Sequence, residues 1–152
     1  MNVVGFRRDP AGGRGAADSV HTLAELPACL PRADFVALTC PLVPETRGVI
    51  DASALGLMQR SAYLINLGRG PCVVESALIE ALNAGHIAGA ALDCTDPEPP
   101  EESSPLWGMQ NVFITPHTGG ETRKYEANVI EILLENLDRL WRGETMLRNQ
   151  VV

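Results

Sequence analysis

The chain repeats one arrangement: a short apolar run, a turn or proline-bearing loop, then a segment with apolar residues at helical spacing. Runs at 3–6, 34–39, 62–67, 87–93 and 111–115 lack a clear polar alternation, which predicts strands of a parallel sheet covered on both faces. A small edge strand is expected around Val20. Thr22 with Glu25 three residues later predicts a capped helical turn leading through Leu30 to Asp34, and Asp51 or Ser53 can cap a short helix through Met58. Residues 75–82 have apolar positions on one helical face and stop at Gly85. The longest helix is expected over 121–141, with Val129, Ile130, Leu133, Leu134, Leu137 and Leu140 on one stripe and Gly143 at its end. Regular alternation of strand and helix predicts an α/β fold, a doubly wound parallel sheet with right-handed crossovers. No linker divides residues 1–143, and 144–152 reads as a C-terminal tail that adds a small strand or packs on a neighbour.

One run ends unlike the others. Residues 62–67 lead straight into Gly68-Arg69-Gly70, so a buried strand delivers a single cation to its carboxyl end. The two glycines free the backbone for a tight turn, and a guanidinium presented there can grip a carboxylate through two parallel hydrogen bonds. An ordinary surface arginine would look the same in isolation, so the other strand ends matter. Glu98 follows the run at 87–93 and His117 follows the run at 111–115. In open α/β sheets ligands bind beyond the carboxyl ends of the strands, and neighbouring strands lie about 4.8 Å apart, so three adjoining loops bring these groups within about 10 Å. An imidazole paired with a carboxylate can give a proton near neutrality and take it back. The set suits a keto acid: Arg69 to hold the carboxylate and polarise the carbonyl, His117 to protonate the oxygen, Glu98 to orient His117, with hydride from a nicotinamide. His21 and His86 have no such company and read as structural.

Composition narrows the field. The 152 residues are 45% apolar and 20% charged, ordinary for a globular chain, and a net charge of -7 argues against nucleic acid or an anionic membrane as partner. No apolar segment reaches the roughly 18 residues of a membrane span, and the N-terminus lacks a signal-peptide core, so a cytoplasmic location is expected. Cys29, Cys40, Cys72 and Cys94 form no C-x-x-C pair and read as reduced core or loop thiols, with no metal site.

Four stretches in order carry a resemblance: Pro41-Leu42-Val43-Pro44-Glu45-Thr46-Arg47-Gly48, Asn66-Leu67-Gly68-Arg69-Gly70, Ala91-Leu92-Asp93-Cys94-Thr95-Asp96-Pro97-Glu98-Pro99 and Thr115-Pro116-His117-Thr118-Gly119-Gly120. In these the sequence resembles the D-isomer-specific 2-hydroxyacid dehydrogenases, which include glyoxylate/hydroxypyruvate reductases. The resemblance implies Arg69, Glu98 and His117 as catalytic residues acting on a small 2-keto or 2-hydroxy acid, and Asp93 as a contact to the nicotinamide amide. It also implies Cys40, Pro41, Thr46 and Gly119 as cofactor neighbours, and a homodimer for the full-length form. A non-catalytic dinucleotide-fold protein that binds or senses partners is the alternative; retention of all three reactive side chains favours the oxidoreductase.

Two departures from the family pattern stand out. Where an acidic residue usually holds the ribose hydroxyls, this chain has Arg7 followed by Arg8, which attract a 2′-phosphate and favour NADP(H) over NAD(H). No G-x-G-x-x-G turn is present, and Gly12-Gly13-Arg14-Gly15 has neither the spacing nor the following helix to replace it. The expectation is an incomplete Rossmann-like sheet lacking its first strand and phosphate loop, the C-terminal part of a longer enzyme. Strands 3–6 and 34–39 would then face a gap of about 9.6 Å, leaving an association-prone chain with little activity alone.

Overall fold

The five apolar runs and the segment around Val20 become six strands, all paired in parallel. β1 (Val4–Phe6) pairs with β2 (Ser19–His21), and β3 (Phe35–Leu38), β4 (Tyr63–Asn66), β5 (Gly89–Leu92) and β6 (Val112–Ile114) form a four-stranded sheet in that order. No ladder joins the two sheets among the described residues, which are 1–150 of this computed structural model. The expected interruption between the first strand and the one at 34–39 is therefore present, and pairing does not close it.

The helical turns form where the polar signals stand. The Glu25 carboxylate accepts from the Thr22 backbone N–H at 2.9 Å and from its hydroxyl at 3.0 Å, opening a short helical stretch that includes α1 (Leu26–Cys29). The same carboxylate lies 2.9 Å from His21 and is held down to about 2, chiefly by that bond. Asp51, not Ser53, caps α2 (Ala52–Leu57), accepting from the Ala54 N–H at 2.8 Å. α3 (Glu75–Asn83) buries Ala77, Leu78, Ala81 and Leu82. It closes as expected, with Gly85 at φ 64° while the N–H groups of Gly85 and His86 reach Leu82 and Ala81.

One expectation needs correction. The strands were read as covered on both faces, yet Leu64 and Asn66 of β4 are buried while Tyr63 is 45% exposed, and Phe35 and Phe113 are 63% and 67% exposed. The cause is topological. Every step from β3 to β6 moves in one direction, so right-handed crossovers lay α2 and α3 on a single face. Their apolar sides pack with Val36, Leu38, Leu64, Ala90 and Leu92 into one core, and the opposite face is left to Phe35, Tyr63 and Phe113. Expected strand 87–93 is also shorter as observed: Ile87 is buried without entering the ladder, although the Asp93 N–H still reaches the Asn66 carbonyl at 2.9 Å.

Two compact units divide the chain, Met1–Gly119 and Gly120–Val152. The second holds α4 (Tyr125–Trp141), which begins four residues later than expected because Tyr125 N–H first closes a turn onto Thr122. Its end at Gly143, φ 77°, is as expected. The following segment forms no strand among its described residues. Instead Arg148 binds back onto α4 through Glu135 at 2.9 Å and Asn136 at 2.8 Å, while Val151 and Val152 of the expected tail lie outside the described residues.

Candidate active site

Register sets the site. Leu38, Asn66, Leu92 and Ile114 pair successively across the four strands, so the loops that follow them leave one edge of the sheet from a common row. Cys40 and Pro41 follow the first, Arg69 the second, Asp93 and Glu98 the third, and His117 the fourth.

The Arg69 turn is wedged between its neighbours. A Cβ on Gly68 would stand 2.7 Å from the Cys40 carbonyl oxygen, and one on Gly70 would stand 1.9 Å from that of Thr95. Both glycines are thus required by close backbone approach, the first toward the loop after β3 and the second toward the loop after β5. From inside, the Asn66 side chain accepts from the Gly68 N–H at 3.1 Å and donates to the Arg69 carbonyl at 3.0 Å. Asn66 is 1% exposed, a buried amide with both ends satisfied. Sequence reasoning gave it no role; the available signal was a polar side chain closing an apolar strand just before a glycine. Arg69 itself is exposed and donates to the Gly68 carbonyl at 2.6 Å, leaving further guanidinium N–H groups free for a ligand.

Asp93 organises the next loop. Its carboxylate accepts from the Thr115 hydroxyl at 2.6 Å and from the Thr118 and Gly119 N–H groups at 2.9 and 2.8 Å. The Thr115 bond above all holds this carboxyl below its ordinary range; burial opposes the shift, and the two N–H groups and His117 add to it. The clasp encloses His117, whose φ of 56° is left-handed, a conformation that persists only where the surroundings enforce it. A Cβ on Gly119 would fall 2.8 Å from the Asp93 carboxylate, so that position also depends on glycine.

His117 and Glu98 come together: Nδ1 of the imidazole lies 2.6 Å from Glu98 Oε1, with both side chains about two-fifths exposed. A carboxylate acceptor at this distance fixes a proton on Nδ1, which leaves Nε2 as the ring nitrogen for a ligand. Arg69 joins this neighbourhood through the close approach of Gly70 to the Thr95 carbonyl, in the loop that carries Glu98. The buried Cys94 thiol is pushed up to about 11 by burial first and then by the Glu98 and Asp93 carboxylates, while the Arg69 guanidinium pulls the other way.

The remaining sequence-predicted residues separate into two groups. Thr46 is buried, its hydroxyl donating to the Pro41 carbonyl at 2.7 Å and accepting from the Val43 N–H at 2.9 Å, so it shapes the loop that carries Cys40 and Pro41. The Cys40 thiol is pushed up by burial and by the Cys72 thiol beside it, which keeps it un-ionised. Arg7 and Arg8 lie at the end of β1, on the two-stranded sheet. The structure does not bring them to the Arg69 rim.

A model of the D-isomer specific 2-hydroxyacid dehydrogenase NAD binding domain matches residues 1–119. The chain belongs to this family. It is 37% identical over 146 residues to the D-3-phosphoglycerate dehydrogenase of Methanocaldococcus jannaschii, covering 95% of this chain and 27% of that protein. With the glyoxylate/hydroxypyruvate reductase B of Cronobacter sakazakii it shares 40% identity over 120 residues, 79% of this chain and 37% of the relative. The crystal structure of a D-isomer specific 2-hydroxyacid dehydrogenase from Xanthobacter autotrophicus Py2, in complex with NADPH and MES, superposes with a TM-score of 0.85 at 40% identity, over 100% of this chain and 61% of that one. This family member thus spans less than half the length of these two curated relatives. The fold expectation, a Rossmann-like parallel α/β sheet, is borne out.

Proposed function

We propose that this chain carries the catalytic rim of an NADP(H)-preferring oxidoreductase that interconverts a small 2-keto acid and its 2-hydroxy acid. The observation that carries the reading is the 2.6 Å contact between His117 Nδ1 and Glu98 on a rim shared with the Arg69 turn. Arg69 is suited to take the substrate carboxylate in a two-bond grip and to polarise the adjacent carbonyl. His117, with Nδ1 bonded to Glu98, offers a proton from Nε2 in its imidazolium form to the carbonyl oxygen, is left as the neutral Nδ1–H imidazole, and recovers the proton in the reverse direction. Asp93 and Asn66 keep these two groups in place, and Asp93 Oδ2, accepting one bond so far, retains a lone pair for a nicotinamide amide.

A nicotinamide dinucleotide supplies hydride when bound. The residues fit its two ends: the Asp93 carboxylate keeps acceptor capacity on the rim, and Arg7, Arg8 and Arg14 make no ion pair with a carboxylate among the described residues. A family name covering glyoxylate/hydroxypyruvate reductases among the relatives supports a two- or three-carbon keto acid, and the NADPH in the Xanthobacter structure supports the phosphorylated cofactor.

The test is a chimera in which this chain replaces the matched portion of the Xanthobacter enzyme, assayed with NADPH and NADH on glyoxylate, hydroxypyruvate and pyruvate. His117→Ala is expected to lower kcat by about 10²-fold or more, while Arg69→Ala raises KM as well. An active chimera indifferent to His117→Ala would end the reading.

A further inference from the structure

From Thr115 to Gly119 every backbone donor has a partner. Thr115 N–H completes the ladder onto the Leu92 carbonyl at 3.0 Å, Pro116 has no N–H, His117 N–H returns to the Thr115 carbonyl at 3.0 Å, and the N–H groups of Thr118 and Gly119 both go to Asp93. Thr115 thus holds His117 from the strand side, and Asp93 holds the loop from beyond it. The Thr115 hydroxyl ties these two anchors together, donating to Asp93 Oδ1 at 2.6 Å.

That bond makes the two oxygens of a nearly buried carboxylate, 5% exposed, unequal. Oδ1 accepts from the Thr115 hydroxyl and the Thr118 N–H, which fills its two lone-pair directions, whereas Oδ2 accepts from Gly119 and keeps one direction open. Without the hydroxyl each oxygen would hold a single N–H, and nothing in the pairing would tell them apart. Two titratable groups face Asp93: His117, whose charge favours the ionised carboxylate, and the Cys94 thiol, which is pushed up to about 11 and stays un-ionised.

We propose that Thr115 is a positioning residue for the keto-acid reaction: its hydroxyl occupies Asp93 Oδ1, so that Oδ2 alone is left for a ligand and the loop carrying His117 is fixed against Glu98. This assignment rests on the oxidoreductase reading of the rim and names a side chain that acts through Asp93. Thr115→Val keeps the shape and removes the donor. It takes away the first of the causes that hold the Asp93 carboxyl below its ordinary range, and burial then raises it with less opposition. A carboxyl with a raised folded value loses its hold on the Thr118 and Gly119 N–H groups at a higher pH as acid is added. A residue that only fills space would lower protection equally at every pH.

The experiment follows the whole chain by hydrogen exchange, corrected for intrinsic rates, from about pH 7 to about pH 3, and the chimera with the Xanthobacter enzyme by steady-state kinetics. In Thr115→Val the fall in Thr118 and Gly119 protection is expected to begin at a higher pH than in wild type, and Thr115→Ser to return it. In the chimera Thr115→Val is expected to lower kcat about tenfold and to leave the keto-acid KM within about twofold, with Thr115→Ser recovering most of kcat. Should Thr115→Val fail to fold, Thr115→Ala against Thr115→Ser makes the same comparison, since that pair differs only in the hydroxyl. An acid limb that stays in place without the hydroxyl, or a loss of protection at all pH values that Thr115→Ser does not recover, would overturn the assignment. Full kcat in Thr115→Val beside an impaired His117→Ala would overturn it too and leave the proposed function standing. A chimera indifferent to both substitutions would end the oxidoreductase reading and this assignment with it.

Discussion

Asp93 shows how one side chain can govern a loop. Its carboxylate collects a hydroxyl and two backbone N–H groups on either side of a histidine held at positive φ. Because the folded carboxyl is held below its ordinary value, its contribution to stability is fully present above the unfolded value of about 3.9 and is lost as the pH falls through the lowered folded value. Protection of the Thr118 and Gly119 amides, corrected for intrinsic exchange, is therefore expected to hold from pH 6 to about 4 and to fall below that. Asp93→Asn should flatten this acid limb and speed exchange at neutral pH; an unchanged limb would mean that another group holds the loop. Of the residues at this scale, Arg69, Glu98 and His117 were legible in sequence because charged side chains after apolar strands are conspicuous. Asn66 and Thr115 were not, because a polar residue at a strand end acquires meaning only when its partners are known.

Between elements, the loops hold one another through backbone contact, and side-chain exchange at those points has little room. Gly70 is the tightest, with the Thr95 carbonyl occupying the place a Cβ would take. Gly70→Ala is expected to cost at least about 1–3 kcal/mol in urea unfolding and to shift the Arg69 turn, with Gly56→Ala, in open space on α2, as the tolerated control. Equal stability of the two variants would show that the Thr95 loop yields freely. The apolar pattern located α3 and every strand of the sheet, and a capping residue located α2, since each signal lies in residues close along the chain. It overestimated coverage of the strands, because which face a helix covers depends on the direction of the crossover. The late start of α4 likewise reflects a turn at Thr122 that competes with the first helical hydrogen bonds.

For the molecule as a whole, apolar surface is the dominant feature. Phe35, Tyr63 and Phe113 share the uncovered sheet face, and Ile130, Leu133, Leu134 and Leu137 of α4 are each more than half exposed. Patches of this kind favour association. The chain on its own is expected to form concentration-dependent oligomers in light scattering at micromolar protein, and Leu133→Glu with Leu137→Glu to reduce them. A strictly monomeric wild type would mean that these faces are covered in solution.

The amino-acid order alone determined the strand and helix alternation, the acidic balance, and the placing of Arg69, Glu98 and His117 after successive strands, because each depends on neighbours in the chain or on a repeating period. Tertiary structure decided what those residues do together. Ladder register put four strand ends in one row, backbone crowding made Gly68 and Gly70 indispensable, and Asp93 reached across 22 to 26 positions to clasp the His117 loop. Such contacts join residues far apart in sequence, so no local pattern encodes them, and only the folded chain brings them within bonding distance.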